Sequence, residues 1–485
     1  MVGNAHHSRN GLFRYEQLAG ELAGLIEQGT YQPGDRLPSV RKMSRQRGIS
    51  ISSVLQAYLL LEGRGLIEAR PQSGYYVRQA RGLPLPEPGI SHAGQNPLQV
   101  NVHDLVMMVM RDANNPALAH LGAANPNLEL LPIEKLDRIL ARLVKRRDLE
   151  SHDYLMPPGL EALRVQIAQQ AVNSGCMLSP HEIVVTSGGT EALDLCLDAA
   201  CRPGDIVAIE APMYFGSLQL IEVHGLRALE IPTDPRDGLS LEALQFALEH
   251  NPIKAVLINA NFSNPLGSLM PDEKKQQLVE LLARYDIPLI DNNALGELYF
   301  GEKQPSVTKA YDRKGLVMLC CSFSKTISPS LRVGWIVPGR FQHEIEWLKF
   351  TKSATTATIP QMAIAELLES GTYERHMRHV RREYSRNVAA FLQAITRCFP
   401  EGTRVTRPSG GFVLWVQLPG NVDSLELYAL ALKGSISLTP GYLFSPTNQF
   451  YNFIRLNAAA WSLPIERALE RLGGIVVDLA AHPGL

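Results

Sequence analysis

One lysine in the second half of the sequence is surrounded by residues that suit covalent and phosphate chemistry. Lys325 follows the apolar run LVMLC, with Ser322 and Ser324 just before it and Arg332 seven residues after it. A lysine amine forms a Schiff base with a carbonyl compound, and hydroxyl groups together with a guanidinium suit a dianionic phosphate. A lone lysine is far more often a solvated surface charge. The residue types around Lys325 nevertheless predict a site that joins an amine to a phosphate-binding cluster.

Two further motifs contain groups of the kind that such a site needs. The segment VVTSGGTEAL is a glycine-rich turn that opens a helix, so the N–H groups of Gly188, Gly189 and Thr190 can face a phosphate. Tyr214 follows a strand-like run in EAPMYFG, and such a tyrosine in isolation is more often half-buried packing. Each motif is weak evidence alone, and their order along the chain is the stronger observation.

This order resembles that of the fold-type-I PLP-dependent aminotransferases, over roughly residues 118 to 478. The segment CSFSKTISPSLRVGW is similar to the family signature S-x-S-K-x-x-x-P-x-x-R-x-G. The resemblance implies that pyridoxal 5'-phosphate (PLP) is the cofactor and that Lys325 forms the Schiff base with it. It also assigns roles to four other residues: Tyr214 stacks on the ring, Asn264 bonds the ring hydroxyl, Tyr154 reaches a neighbouring subunit's phosphate, and Arg455 holds a substrate carboxylate.

One segment departs from the family pattern. Family members usually have a segment such as E-D-D-x-Y, where this chain has Asp291, Asn292, Asn293, Ala294 and Leu295. Alignment through the following ELYF places Asn292 where the aspartate of the pyridine nitrogen belongs, and Leu295 where a tyrosine supports the ring oxygen. A slip of one residue would make Asp291 the partner instead. Without that slip, the ring nitrogen loses the carboxylate that keeps it protonated, so we expect PLP binding with slow turnover.

The elements that must position these residues alternate between helical patterns and short apolar runs such as EIVVTS, DIVAIEAP, AVLINANF and IPLIDNN. This alternation predicts an α/β domain over residues 100–485 with a mostly parallel sheet and crossover helices. A smaller α/β lobe is predicted from about Gly371. Residues 79–99 are rich in Pro and Gly and are expected to be a linker between this domain and the first 78 residues.

The first 78 residues contain a cluster of positive charge. Between residues 36 and 47 there is no acidic residue, and the basic residues are Arg36, Arg41, Lys42, Arg45 and Arg47. Charge alone more often indicates a solvated face. Here the cluster lies within a predicted order of helix, helix, helix and two-stranded wing, and the third helix begins with a group of serines. That combination favours a surface that contacts the phosphates of DNA.

The segment from QPGDRLPS to QSGYYV resembles the GntR-type winged helix-turn-helix, which covers residues 12–78. The DNA contacts expected from this resemblance and from the basic cluster are Arg36, Arg41, Ser50, Ser52 and Ser53, with Gly74 in the wing. Such proteins often carry Arg at the position of Ile51, and Arg or another polar residue at that of Leu55. We therefore expect base readout to be weaker or differently distributed.

Composition restricts the remaining possibilities. The chain of 485 residues carries a formal net charge of -1, so any nucleic-acid site must be a local patch. The six cysteines have no metal-ligand spacing, which predicts no metal site and a reducing compartment. The sequence contains no signal-like segment and no apolar run of the roughly 18 residues that span a membrane. These features predict a cytoplasmic protein without a membrane partner.

A GntR-like reader, a linker and an aminotransferase-like domain in one chain resemble the MocR subfamily of transcription regulators. The resemblance implies a DNA-binding homodimer whose large domain binds PLP and senses PLP or a small amino compound. Two alternatives stay open: an active PLP-dependent aminotransferase with an accessory DNA-binding domain, and a regulator whose large domain has lost PLP and only dimerises. The sequence identifies neither the operator nor the effector.

Overall fold

The computed structural model describes residues 14–27, 30, 31, 34–63, 66–70, 73–77, 84–92, 94, 96–113, 115–146 and 152–481. Parts of two predicted segments lie outside the described residues, namely 12, 13, 28, 29, 32, 33, 64, 65, 71, 72 and 78 of the first domain, and 79–83, 93 and 95 of the linker. The chain divides into two compact units: one within residues 1–85 together with 389–397, and one formed by 86–388 together with 398–485. Each unit is described separately below.

The first unit contains three helices followed by a short antiparallel hairpin. Its elements are α1 (Arg14–Glu27), α2 (Val40–Arg47), α3 (Ile51–Gly63), β1 (Ile67–Arg70) and β2 (Gly74–Val77). Short sequence signals define α2: the Ser39 hydroxyl accepts the N–H of Lys42 at the N-terminus, and Gly48 closes the helix in the left-handed conformation. This order of elements is the one predicted from the sequence.

A compact apolar core holds the three helices and the hairpin together. Tyr58 of α3 is fully buried, and its hydroxyl donates to the carbonyl of Pro38 at 2.7 Å. The other buried side chains of this core include Leu18, Leu22, Leu37, Met43, Val54, Ala57, Leu61, Ile67 and Val77. One face of α3 is thus committed to the core, and the opposite face is left to solvent.

The remaining helices and strands follow in chain order. The helices are α4 (His103–Ala113), α5 (Ile133–Arg146), α6 (Glu161–Ala171), α7 (Gly189–Ala200), α8 (Phe215–Val223), α9 (Leu241–His250), α10 (Asp272–Tyr285), α11 (Gln342–Ser353), α12 (Thr358–Glu369), α13 (Tyr373–Cys398), α14 (Ser424–Lys433) and α15 (Leu463–Ala481). The strands are β3 (Leu98–Gln99), β4 (Ala119–His120), β5 (Val184–Thr186), β6 (Ile206–Ala211), β7 (Arg227–Asp234), β8 (Gly238–Leu239), β9 (Ile253–Ile258), β10 (Leu289–Asn292), β11 (Val317–Ser322), β12 (Gly334–Val337), β13 (Arg404–Val405), β14 (Val413–Gln417), β15 (Ile436–Ser437), β16 (Thr439–Pro440) and β17 (Phe453–Asn457).

The large sheet of the second unit is mostly parallel, as the alternating pattern predicted. Its strand order is β3-β7-β6-β9-β10-β11-β12-β5, and β7, β6, β9, β10 and β11 pair in parallel. Strands β3 and β12 run antiparallel to their neighbours, and β8 pairs with β7. Every residue of β6 and β10 is buried, because helices cover both faces of a parallel sheet.

The small lobe has its own antiparallel sheet in the order β13-β14-β17-β16. Trp415 of β14 is buried between aromatic rings, with its centroid 5.0 Å from that of Phe444 and 5.2 Å from that of Phe453. Strand β15 pairs in parallel with β4, so residues near 120 join residues near 436. The prediction of a lobe that begins near Gly371 missed this contribution from the earlier chain, because it depends on a pairing across more than 300 residues.

Part of the predicted linker, from residue 86 onward, belongs to the second unit. Glu87 forms an ion pair with Arg236 and accepts the N–H of Arg407, while Ser91 exchanges hydrogen bonds with the backbone of Thr233. Residues 98 and 99 form β3, which pairs with β7. None of the described helices combines the length and the apolar character that crossing a membrane requires.

Candidate functional site

A cavity of about 320 Å³ lies where several strands of the large sheet end. It is lined by residues at or shortly after the carboxyl-terminal ends of β5, β6, β9, β10 and β11, as is usual for ligand sites in parallel sheets. Its lining residues are Met110, Ala113, Ala123, Ala124, Asn125, Gly189, Thr190, Leu193, Tyr214, Phe215, Asn259, Asn264, Asn292, Ala294, Leu295, Ser322, Ser324, Lys325, Arg332 and Arg455. The structure thus brings together ten residues that the sequence assigned to the cofactor or substrate.

The cavity is positively charged. Its lining contains the amine of Lys325 and the guanidinium groups of Arg332 and Arg455, and no aspartate or glutamate belongs to the described lining. Three cationic groups in one partly enclosed space repel one another and lack a carboxylate counterion. This distribution favours a ligand with more than one negative group, such as a phosphate together with a carboxylate.

Lys325 occupies the short helical turn Phe323–Lys325 that directly follows β11. Its Nζ donates to the carbonyl of Ala124 at 2.7 Å. Burial, together with the charges of Arg455 and Arg332, lowers the pKa of Lys325 to about 8. A sizeable fraction of this amine is therefore unprotonated near neutral pH, which is the form that attacks a carbonyl carbon.

An anion-binding cluster adjoins Lys325. The Ser322 hydroxyl donates to Ser324 Oγ at 2.9 Å, and Arg332 Nη1 donates to the same Ser324 oxygen at 3.3 Å. Arg332 Nη2 also donates to the Ser187 carbonyl at 3.2 Å. These bonds hold the hydroxyl groups and the guanidinium close together.

The N-terminus of α7 completes this cluster. Gly188 is its N-cap with φ of 88°, and a Cβ at this position would lie 2.5 Å from Nη2 of Arg332. Glycine is therefore required both by the backbone conformation and by the closeness of the guanidinium. Gly189 and Thr190 follow and line the cavity, where the first N–H groups of a helix have no partner within the helix and attract anions.

Arg455 of β17 lies deep in the site and is almost completely buried. Its Nη1 donates to Asn264 Oδ1 at 3.0 Å, and its Nη2 donates to the Gly122 carbonyl at 2.9 Å. The rings of Phe215 and Phe444 lie 5.5 and 5.1 Å from its guanidinium carbon. Burial lowers the pKa of Arg455 to about 10, which still leaves the group cationic at neutral pH.

Tyr214 begins α8 as its N-cap residue, and its ring lies 4.8 Å from that of Phe215. Burial raises the pKa of the Tyr214 hydroxyl, although the nearby charge of Arg455 acts in the opposite direction. The phenol therefore stays neutral at physiological pH. An aromatic ring at the cavity wall is the kind of group on which a planar ligand stacks.

The structure distinguishes Asn292 from Asp291. These residues are neighbours in β10, so their side chains point to opposite faces of the sheet. Asn292 lines the cavity, whereas the Asp291 carboxylate accepts the Ala260 N–H at 3.2 Å and the Thr308 hydroxyl at 2.7 Å. A neutral amide therefore faces the cavity. The alternative alignment, in which Asp291 reaches the ligand, has no geometric support in this structure.

The donor set fits PLP. Serine hydroxyls, a guanidinium and helix N–H groups suit its phosphate, a weakly basic amine suits its aldehyde, and a tyrosine and amides line the space for its ring. The positions of Gly188 and Arg332 also leave a cradle that any side chain at residue 188 would fill. Asn292 fits the ring only as a neutral partner.

Two predicted cofactor residues, Gly188 and Tyr154, do not belong to the described lining of this cavity. Tyr154 is 75% exposed and does not belong to the lining, so its role toward a neighbouring subunit stays a prediction. Conversely, sequence reasoning missed Asn259, which lines the cavity directly after β9, and the carbonyl groups of Gly122 and Ala124. Asn259 could have been predicted, because it directly follows a strand of the parallel sheet. No feature of the sequence indicates the two carbonyl groups.

In the first unit, the residues assigned to DNA lie in α2, at the start of α3, in the hairpin and in the segment before α2, and among them Ser53 and Gly74 are half-buried while the others are exposed. Arg36 and Arg41 are exposed, and α2 contains no acidic residue. Gly74 has φ of 111°, and a Cβ there would approach Arg36 Nε to 3.3 Å. Glycine in the wing thus lets the Arg36 side chain lie against the hairpin.

The serine cluster at the start of α3 has a structural role in addition to the one expected toward DNA. Ser50 Oγ accepts the Ser53 N–H at 3.1 Å, and this oxygen also lies 2.8 Å from the hydroxyls of Ser52 and Ser53. Ser50 therefore acts as the cap at the start of α3. Because the three hydroxyls bond one another, contacts from them to DNA stay a prediction.

Comparison with known proteins identifies both units. Residues 123–472 match the family of aminotransferases class I and II, and residues 14–77 match the bacterial regulatory proteins of the gntR family. The uncharacterized HTH-type transcriptional regulator YjiR of Escherichia coli is 38% identical over 96% of this chain and 98% of its own length. A second E. coli relative, YdcR, is described in the same words and is 36% identical over 96% of this chain and 99% of its own length.

A solved structure agrees with this assignment. LysN, the alpha-aminoadipate aminotransferase of Thermus thermophilus, was crystallised with N-(5'-phosphopyridoxyl)-L-leucine. It superposes with a TM-score of 0.72 and 29% identity, over 77% of this chain and 95% of LysN. The chain belongs to the class I and II aminotransferase family and carries a GntR unit in front of it, which is the architecture of the MocR subfamily of GntR-type transcription regulators.

Proposed function

From this membership we propose that the chain is a transcription regulator that binds duplex DNA through its first unit. The second unit binds PLP and responds to PLP itself or to a small amino compound. The observation that carries the proposal is the presence of both family segments on one chain, together with relatives of matching length that are named as transcriptional regulators. The basic surface of α2 and the cationic cavity supply a separate binding chemistry for each ligand.

When it is bound, PLP supplies a carbonyl that amines attack and a ring that accepts electrons from a substrate carbanion. The residues of this chain bind and orient it. Ser322, Ser324 and Arg332 hold the phosphate together with the N-terminus of α7, and Lys325 supplies the amine for covalent attachment. Arg455 offers a buried guanidinium to a carboxylate of a second ligand.

Asn292 favours a sensor over a fast transaminase. Its amide is neutral and cannot hold a proton at the ring nitrogen by charge, and no carboxylate belongs to the described lining of the cavity. Binding of the cofactor and of an amino ligand does not depend on such a carboxylate. An occupied second unit then alters the DNA affinity of the first to the extent that the ligand favours one conformation over another.

We also propose that the regulator acts as a homodimer in the cytoplasm. A dimer would bring Tyr154, which is exposed here, within reach of a neighbouring subunit's cofactor. We further propose that a linker joins the two domains within the predicted range 79–99, of which residues 86–99 already belong to the second compact unit.

The experiment that tests the proposal joins two measurements on the full-length protein. A visible absorption scan with and without added PLP reports covalent binding, because attachment to a lysine gives a coloured species. DNA affinity is then measured with PLP present, absent, and present together with a panel of amino compounds. We expect colour and a change in DNA affinity of at least several-fold, on the order of the 1–3 kcal/mol that couples allosteric sites.

Each alternative has its own signature in this experiment. A colourless protein at saturating PLP indicates a large domain that has lost its cofactor. Rapid conversion of amino acids, without sequence-selective DNA binding, indicates an aminotransferase with an accessory domain. The first result would contradict the proposed PLP binding, and the second would contradict the proposed regulator.

A further inference from the structure

The outer face of α3 carries a row of aliphatic side chains. Ile51, Leu55 and Leu59 are spaced four residues apart, so they lie along one side of the helix. They are 55%, 42% and 47% exposed, respectively. The opposite face, which includes Val54 and Tyr58, already supplies the core of the unit. The outward row is therefore not needed for folding, and water solvates it poorly.

The surroundings of this row point to a particular partner. Three exposed cations, Arg41, Lys42 and Arg45, lie on the preceding helix α2, which has no acidic residue. The surface thus joins aliphatic groups to positive charge. Duplex DNA has the complementary features, because its phosphates are anionic and its major groove exposes the apolar C5-methyl group of thymine.

We propose that Ile51 and Leu55 read thymine C5-methyl groups in the major groove, so that the reader selects its sites partly by apolar contact. This inference rests on the proposed DNA-binding function and specifies its chemistry. Both residues lie within the first two turns of α3, and the N-terminal part of a recognition helix is the part that meets base edges. Aliphatic side chains form no hydrogen bonds with bases, which leaves the thymine methyl as their natural contact.

Replacing thymine by uracil tests this directly, because uracil pairs in the same way and lacks only the methyl group. Full-length protein is used to enrich duplexes from a random-sequence pool, and the best-bound duplex is amplified with either dTTP or dUTP. We expect the thymine form to bind about four-fold more tightly for each methyl contacted, from the free energy of burying one such group. A shuffled duplex should show no preference between the two forms.

The variants Ile51→Ala and Leu55→Ala should lower the ratio of thymine to uracil affinity toward one. Their salt dependence should stay that of the wild type, since neither change removes a phosphate contact. Both side chains are exposed, so thermal unfolding should be nearly unchanged. Leu59→Ala is the matched control, because it shortens the same row one turn farther along, and its thymine preference should persist.

Several outcomes would overturn the proposal. One is equal wild-type affinity for the thymine and uracil forms of the enriched duplex. Another is an undiminished preference for thymine in Ile51→Ala and Leu55→Ala. If those variants also change the self-association of the protein, the row is a protein interface. Equal loss of preference in Leu59→Ala would remove the assignment to the first turns. If no duplex is enriched over the shuffled competitor, the proposed function fails together with this inference.

Discussion

The cofactor cavity and the outer face of the reader bind ligands in opposite ways. In the cavity, functional groups are held by hydrogen bonds within the protein: Lys325 bonds the Ala124 carbonyl, and Arg455 bonds Asn264 and a backbone carbonyl. On the reader, Arg41 and Ile51 are exposed on short helices. The groups of the cavity thus depend on one another, whereas the reader surface depends on contacts that form independently of one another.

This difference has an energetic consequence. In the cavity, Lys325, Arg332 and Arg455 share a small volume without a carboxylate, so one anionic ligand relieves several repulsions together. On the reader, each cation meets its own phosphate in high dielectric, and each contact adds a similar, small, salt-dependent increment. Substitutions in the cavity should therefore have large and coupled effects, and substitutions on the reader should have modest and additive effects.

The largest effect is expected from Lys325→Ala. Removing the amine should abolish covalent attachment of PLP, so the visible absorption band should disappear. In the wild type, borohydride reduction followed by peptide mapping should place the pyridoxyl label on Lys325. Lys303→Ala, which removes an exposed lysine, is the control and should keep the band. A label on another lysine in the wild type would contradict the assignment of Lys325 and the role of this cavity in PLP binding.

A gain of rate is expected from Asn292→Asp. A carboxylate at this position would favour a proton on the ring nitrogen, so single-turnover conversion of an amino acid should accelerate by on the order of 10²-fold. Asn293→Asp is the control, because its side chain lies outside the cavity lining and bonds Asn261 instead. Wild-type conversion at roughly 1 per second or faster would refute the sensor and support the aminotransferase alternative.

The cavity was largely predictable from the sequence, because its parts are local motifs at the ends of strands. Lys325, its serines and Arg332 belong to one short segment, and the parallel order of strands brings the other motifs to the same edge. The choice between Asp291 and Asn292 needed the orientation of β10, since two adjacent residues differ only in the face they occupy. A sequence alignment that can shift by one residue does not show which of the two side chains faces the ligand.

The features that escaped prediction depend on distant parts of the chain. The carbonyl of Gly122 reaches Arg455 across 333 residues, and backbone acceptors leave no trace in side-chain patterns. The pairing of β4 with β15 is equally remote in sequence. On the reader, by contrast, the serines at the start of α3 are a local capping signal, and Ser50 does cap the helix, which competes with the DNA contact expected from the same hydroxyl.

Gly188→Ala tests how strictly the position of Arg332 in the cavity is fixed. The new methyl group would displace the Arg332 guanidinium, whose Nη2 lies 2.5 Å from the position of that Cβ. We expect PLP affinity, measured by titration of the absorption band, to fall by about ten-fold or more, the value of one charge-assisted hydrogen bond. Gly204→Ala is the control, because φ is 89° there and nothing lies within 4 Å of the added Cβ. Equal PLP affinity in the two variants would show that Arg332 adapts freely.

The pH dependence of attachment provides a further test of the cavity. Below its pKa of about 8, Lys325 is mostly protonated, and the protonated amine cannot attack a carbonyl. The rate of PLP attachment, followed by stopped-flow absorbance, should therefore rise about ten-fold per pH unit up to about pH 8 and then level off. An unperturbed lysine such as a solvated surface residue would place that midpoint above about pH 10. A midpoint in that range would mean that neither burial nor the two guanidinium groups act on this amine.

The smallest effect is expected from Arg41→Ala on the reader. Loss of one phosphate contact should weaken binding uniformly across DNA sequences and reduce the slope of log affinity against log salt by about 0.9. Arg47→Ala is the matched control within the same cluster, because Arg47 already pairs with Glu21 at 3.1 Å and offers less charge to DNA. The slope is measured with the enriched duplex and with a shuffled duplex between low and moderate salt. An unchanged slope in Arg41→Ala would place the phosphate contacts elsewhere. A loss of sequence preference without a change in slope would make Arg41 a base-reading residue. In that case the reader too would use fixed, directional contacts like those of the cavity.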